Sequence, residues 1–255
     1  MKRLPTVAGV ALGLVTAAVC VRLGIWQIAR LHEKEALNAR LRAALAAAPG
    51  DLAAADLALA HGPDALRFGR WSARGRFDET HQFLLMGRAR NGEPGVEVVT
   101  PLVPDGAGAA SAAGGMGAGG PAVLVNRGWI PSADAATAKP EQYPAPGERA
   151  VTGLAEPLGR GGAVAYGRVE FDSLAVWSVT RLDADSVAAR LPYPVRPYVL
   201  AALPESAGAT DVLPVPATAR FYDEFMHRSY AGQWFSFAAI ALIGMVVLAR
   251  RRRAA

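Results

Sequence analysis

The chain is 255 residues long, 52% hydrophobic and 19% charged, with a formal net charge of +5. Its single cysteine excludes an intrachain disulfide and the paired-cysteine attachment of a c-type haem. The positive balance is not a nucleic-acid signature, because residues 31 to 227 hold 18 Lys and Arg against all 22 Asp and Glu, leaving the excess to the ends of the chain.

Met1-Lys2-Arg3 precede an apolar run from Leu4 to Val21, which Arg22 closes. These 18 residues read as a membrane span or as the core of a signal peptide. Thr16-Ala17-Ala18-Val19-Cys20 is a poor cleavage or lipidation site, since Val19 is branched where a small residue is wanted. Apolar character resumes from Leu23 to Ala29, so one helix is expected to run out of the membrane with Trp26 in the aromatic belt. Leu31 to Ala48, rich in Ala, Leu, Glu and Arg, should continue it up to Pro49-Gly50. Residues 51 to 66 read as a short helix or loop.

From Arg70 the pattern changes to strands, at 71–77, 82–86 and 96–103, with Asn91-Gly92 as a hairpin turn between the last two. Residues 105 to 121 are almost all Gly, Ala and Ser, too small to pack, and are expected to form a flexible loop. The loop holds Gly115-x-Gly117-x-x-Gly120, the letters of a dinucleotide fingerprint, but Pro121 and a strand-like run follow instead of the required helix. Ala122 to Val125 is that strand, and Asn126 to Pro131 reads as a turn closed by Trp129. Further strands are expected at 150–154, 177–180 and 198–202, with a short amphipathic helix from Asp183 to Arg190.

The second span is Tyr230 to Ala249, 20 uncharged residues that stop at four arginines; at about 1.5 Å rise per residue they cross a hydrocarbon core of about 30 Å. The expected fold is an integral membrane protein with two transmembrane helices flanking one extracytoplasmic α+β domain, built on an antiparallel sheet or partly closed barrel. The segments are a first helix over 1–30, a globular domain over 31–226, a second helix over 227–249 and a basic tail over 250–255. Lys2, Arg3 and the terminal arginines place both termini in the cytoplasm. Arginine outnumbers lysine and no Ser-rich amphipathic transit segment precedes the first span, which favours a bacterial plasma (inner) membrane with the central domain on the periplasmic side.

Three blocks stand out: Trp26-Gln27-x-x-Arg30-x-x-Glu33-Lys34, then Val125-Asn126-Arg127-Gly128-Trp129-Ile130-Pro131, then His227-x-x-Tyr230-Ala231-x-Gln233-Trp234-Phe235. In order and spacing they resemble the signature blocks of the surfeit locus protein 1 family, assembly factors of haem-copper cytochrome oxidase. The chain departs from the family in having Met226 where Asn often precedes the histidine, and in the length of its Gly/Ala insert. The resemblance implies haem a as a transiently bound cofactor, cytochrome c oxidase subunit I as the partner served, and haem a synthase as a second candidate partner, all at a lipid bilayer.

The residues offer such a site independently. His227 supplies an imidazole, the commonest axial ligand of haem iron. Tyr230 and Trp234 follow it at i+3 and i+7, on one helix face, as walls for a macrocycle. Trp26 and Arg30 lie on the first helix at the same interface, and Arg30, Lys34 and Arg228 are the cations for propionates. The plainer reading makes these aromatics interfacial anchors and these cations flanking charges. His32 is a candidate second ligand, whereas His61 and His81 read as surface or structural residues. Gln27 and Gln233 belong to the blocks without an assigned contact. For Asn126, Arg127, Gly128 and Trp129 the structural role is a turn with a core plug, and the alternative puts Arg127 on a partner-facing surface. No Gly-x-Ser-x-Gly elbow, His-Glu-x-x-His pair or phosphate loop is present, so the chain reads as a binding and assembly factor and not as an enzyme.

Overall fold

The computed structural model describes residues 4–104, 120–161, 166–171, 175–204 and 212–251. The expected Gly/Ala loop, apart from its last two residues, and residues 252–255 of the basic tail lie outside that set. In chain order the elements are α1 (Leu4–Ala46), α2 (Leu52–His61), α3 (Pro63–Arg67), β1 (Arg70–Phe77), β2 (Phe83–Arg90), β3 (Glu93–Val103), β4 (Ala122–Pro131), β5 (Glu148–Pro157), β6 (Tyr166–Glu170), β7 (Ala175–Val179), α4 (Ala184–Ala188), β8 (Val195–Ala202) and α5 (Glu224–Arg251). They form two compact units, Met1–Arg42 with Arg220–Ala255, and Ala43–Ala219.

The first unit is an antiparallel pair of helices, each long and apolar enough to cross a membrane. Along α1 the covered positions include Ala17, Cys20, Gly24, Gln27, Leu31, Lys34 and Asn38, spaced three and four residues apart. Along α5 they are Glu224, His227, Ala231, Trp234, Ala238, Ala241 and Met245, with the same spacing. A 3-4 repeat is the pattern that keeps one stripe of a helix against its partner. Small residues let the backbones approach: a Cβ added to Gly24 would lie 2.7 Å from the Phe235 ring. Along the apolar stretches the side chains outside this seam are exposed, as at Val15, Val19, Ile25, Ile240, Ile243 and Leu248, which is the surface a lipid environment requires.

At the polar end of the seam Asn38, 1% exposed, has its amide fully used. It donates to the Tyr222 carbonyl at 3.0 Å and to Glu224 Oε1 at 2.7 Å, and accepts from the Tyr222 amide at 2.8 Å. A buried Asn of this kind fixes register between two helices. Asp223 caps α5, accepting from the amides of Phe225 and Met226.

The second unit is one eight-stranded sheet in the order β1-β5-β8-β4-β3-β2-β7-β6, and β1 also pairs with β3, so five strands close into a barrel. Most pairings are antiparallel; β4–β8 and β2–β7 are parallel, each joined by a long crossover. Phe77 pairs with Leu102 at the closing seam. The interior is filled by Leu66, Trp71, Leu102, Val123, Val125, Tyr198 and Leu200. β4 is buried on both faces, because its alternate residue Leu124 packs into a second cluster with Phe83, Val99 and Val179. That explains why Ala122 to Val125 is uniformly apolar instead of alternating.

The hairpin turn at Asn91-Gly92 forms as expected, with φ of +52° and +84°. One expectation is corrected, one strand is added and one segment is refined. Asn126 to Pro131 is not a turn: β4 runs on to Pro131 with a bulge at Arg127, since Val98 pairs with Gly128 and Val99 with Asn126. β6 was not expected; its Tyr166-Gly167-Arg168-Val169-Glu170 is exposed on most positions and carries little alternation. The segment 51–66 resolves into two short helices, α2 capped by Asp51 on the Ala54 amide at 2.8 Å and ended by Gly62.

Arg196 ties α2 to the barrel. Its Nε donates to both carboxylate oxygens of Asp56, at 3.2 and 3.1 Å, and a terminal nitrogen donates to the Pro121 carbonyl. Tyr198 donates its hydroxyl to the same Asp56 at 2.8 Å, and burial together with that carboxylate pushes the Tyr198 phenol well above its ordinary pKa.

Candidate functional site

The site centres on His227, three residues into α5 and half-buried in the helix seam. Its Nδ1 lies 2.8 Å from Gln27 Oε1 of α1. A glutamine oxygen only accepts, so Nδ1 carries the proton of this hydrogen bond, and in the neutral imidazole Nε2 then keeps its lone pair. Among the described residues no group hydrogen-bonds Nε2. This is the arrangement that orients an imidazole as a metal ligand, with an outer acceptor fixing tautomer and ring plane. Gln27, a residue without an assigned contact at the level of sequence, becomes the partner of the candidate ligand.

The other residues expected around His227 lie along the same two helices, and the cations among them are already engaged. Trp234 shares the seam one heptad on and meets Phe237 edge-on at 5.9 Å. Tyr230 is turned outward, 46% exposed, and Trp26 is 52% exposed on α1. Arg30 lies 5.9 Å from the Trp26 ring centroid and is paired with Glu33 at 2.6 Å. Arg228 reaches Glu35 at 3.7 Å, and the Lys34 ammonium sits 4.1 Å over the Tyr222 ring. All three cations therefore have partners, although exposed pairs of this kind contribute only about 0–1 kcal/mol and exchange readily. Gln233 is exposed on α5, and His32 is exposed outside the seam. His61 caps its own helix on the Leu57 carbonyl at 2.8 Å.

His81 belongs to a separate polar cluster on the barrel unit, where Asp78 Oδ2 accepts from Tyr193 at 2.6 Å and lies 2.7 Å from His81 Nδ1. Burial alone would raise the Asp78 carboxyl, but the hydrogen bonds from Thr80, Tyr193 and His81 outweigh it and hold the group below its ordinary value.

The Asn126-Arg127-Gly128-Trp129 block is an internal brace. Asn126 donates to Glu97 at 3.0 Å and accepts the Gly128 amide at 3.0 Å across the bulge. Gly128 has φ of +132°, and any Cβ there would strike the Val215 carbonyl. Trp129 exchanges both backbone hydrogen bonds with Val215 at 2.8 Å. The Arg127 side chain is 9% exposed; it meets Glu79 at 3.5 Å, donates to the Tyr143 carbonyl and lies 5.3 Å from the Phe77 ring centroid. Burial lowers its pKa from the ordinary arginine value, Glu79 opposes that, and the positive charge of Arg149 adds to the lowering.

A family model described as the SURF1 family matches residues 14–239, from the first seam residues of α1 through the barrel to the second half of α5. The chain belongs to the SURF1 family. Members of this family are in general cytochrome oxidase assembly factors, an assembly family and not a known enzyme family. All three blocks lie inside the match, and the SURF1 chain with its two apolar terminal helices is a membrane protein. No curated relative matches the chain.

Sequence reading missed the partners that define each block. Glu79, Glu97 and Val215 around the central motif, and Asn38, Tyr222 and Glu224 at the helix seam, lie far away in the chain. The 3-4 spacing of Ala17, Cys20, Gly24, Gln27 and Leu31 is the local signal that could have told which face of α1 is covered.

Proposed function

We infer that this SURF1 protein assists assembly of a haem-copper cytochrome oxidase by holding haem a through His227 for delivery to cytochrome c oxidase subunit I. The single observation supporting the reading is the His227–Gln27 hydrogen bond, which leaves Nε2 available on an oriented imidazole beside exposed aromatics. The donor set fits: imidazole is a good haem-iron ligand, Trp26, Tyr230 and Trp234 supply apolar and aromatic surface, and Arg30, Lys34 and Arg228 are cations for propionates. Bound haem would supply a redox-active iron to the client; the chain's own residues bind, orient and release it. The proposed setting is a bacterial inner membrane with both termini cytoplasmic and the barrel periplasmic, with haem a synthase as the proposed donor of the cofactor.

A second reading is favoured by the pairing of every candidate cation and by the Asn38 latch. In it the helix pair and barrel are a cofactor-free scaffold that stabilises a subunit I intermediate. Oxidase activity in membranes of a strain lacking the protein separates the two. Complementation by the parent but not by stably expressed His227→Ala supports the ligand reading, and full rescue by His227→Ala supports the scaffold.

A further inference from the structure

Among the described residues the barrel has a mouth that no part of the oxidase reading uses. β8 ends at Ala202, while β4 and β5 flank the gap it leaves, and the returning chain at Val212 to Pro216 forms one side. The resulting pocket has a volume of 420 Å³, within the range of about 300–1,000 Å³ typical of small-molecule sites, which often occupy barrel mouths. Its floor is apolar, with Phe77, Val125, Val151 and Leu213 as the main side chains, and its rim carries Arg127 and Arg149.

The two arginines are not equivalent. Arg127 is buried, and its charge is already met by Glu79 at 3.5 Å. Arg149 is exposed and, among the described residues, has no carboxylate partner. It stands two residues before Val151 on β5, hence on the same strand face, which is the face packed toward the barrel core. A second guanidinium beside a buried first one raises the energy of the empty fold through like-charge repulsion. One anion at the rim would relieve it, and the floor would hold an apolar body beneath.

We propose that this mouth binds an apolar molecule carrying one carboxylate, with the acid at Arg149 and the apolar body against Phe77, Val125, Val151 and Leu213. Among the described residues of the mouth Arg149 is the one cation without a carboxylate partner, which fits a single acid better than a polyphosphate. The site is independent of His227 and stands whether or not haem a is bound there.

The test uses the full chain in phosphatidylcholine nanodiscs, photolabelled with a diazirine-bearing decanoic acid and mapped by peptide mass spectrometry. The parent is expected to be labelled within 145–152 or 212–216, with excess decanoate suppressing the signal. Losing one charge-assisted hydrogen bond of about 1.5 kcal/mol corresponds to about 10-fold. Arg149→Ser should therefore lower the labelling about 10-fold, Arg149→Lys should retain most of it, and the methyl ester of the probe should label the parent weakly. Equal labelling of parent and Arg149→Ser, equal labelling by acid and ester, or no saturable labelling of these segments would overturn the proposal. If Arg149→Ser does not fold, the acid-versus-ester comparison on the parent decides alone.

Discussion

Gln27→Leu isolates the contact on which the ligand reading depends. The substitution keeps side-chain bulk in the seam but removes the oxygen that lies 2.8 Å from His227 Nδ1. Two effects follow. The half-buried N–H loses its acceptor, at a net cost of about 1 kcal/mol to the helix pair. The imidazole also loses the group that selects its tautomer and ring plane, and for metal-bound histidines such a loss costs about 10- to 100-fold in affinity. Haem a titrated into purified protein should therefore bind Gln27→Leu at least about 10-fold more weakly, or about 1.4 kcal/mol. Gln27→Glu keeps an acceptor and should bind within a few-fold of the parent. Asn38→Leu is the control for packing, because it breaks the Tyr222 and Glu224 latch of the same seam without touching the imidazole. A Kd for Gln27→Leu within twofold of the parent, or an equal loss in Asn38→Leu, would refute the tautomer argument.

Other consequences lie in the barrel. Gly128→Ala places a Cβ against the Val215 carbonyl at a φ that L-residues avoid, a strain of about 1–3 kcal/mol, so Tm should fall by about 2–12 °C; an unchanged melt would contradict the bulge geometry. Asp56→Ala strips the partner from Arg196, whose side chain is 10% exposed, but Asp56 is itself 45% exposed. The loss in denaturant unfolding should be nearer to about 2 kcal/mol than to the roughly 3–5 of a fully buried pair. Asp78 is held below its ordinary value of 3.8 in the folded chain, so its contribution to stability is present above that pH and is lost as pH falls through the lower folded value. Asp78→Asn should thus be less stable at neutral pH and show a shallower loss of stability below about pH 4; an unchanged acid limb would argue against the cluster.

Long-period patterns were legible in the sequence, and long-range partners were not. The spans, the Asn91-Gly92 hairpin and the strand positions follow from runs of apolar residues and from turn chemistry, which are local. The block at Asn126 to Trp129 misled, because Gly128 with a preceding Asn suggests a turn, whereas the backbone uses the same freedom for a bulge inside a continuous strand. β6 was invisible because an edge strand with exposed residues on most positions lacks the period-two signal. At the candidate site the sequence placed His227, Tyr230 and Trp234 on one face, but in the helix pair His227 and Trp234 face α1 while Tyr230 faces outward. Helical spacing defines a face to within about one residue, and only the partner helix decides which edge of it is covered.

The most direct test of the haem-holding role is the absorption spectrum of detergent-purified protein co-produced with the haem a biosynthetic enzymes, parent beside His227→Ala. Stoichiometric haem a in the parent and its loss from a folded His227→Ala protein is the expected result. Absence of haem from both, or equal haem in both, would contradict His227 as the ligand.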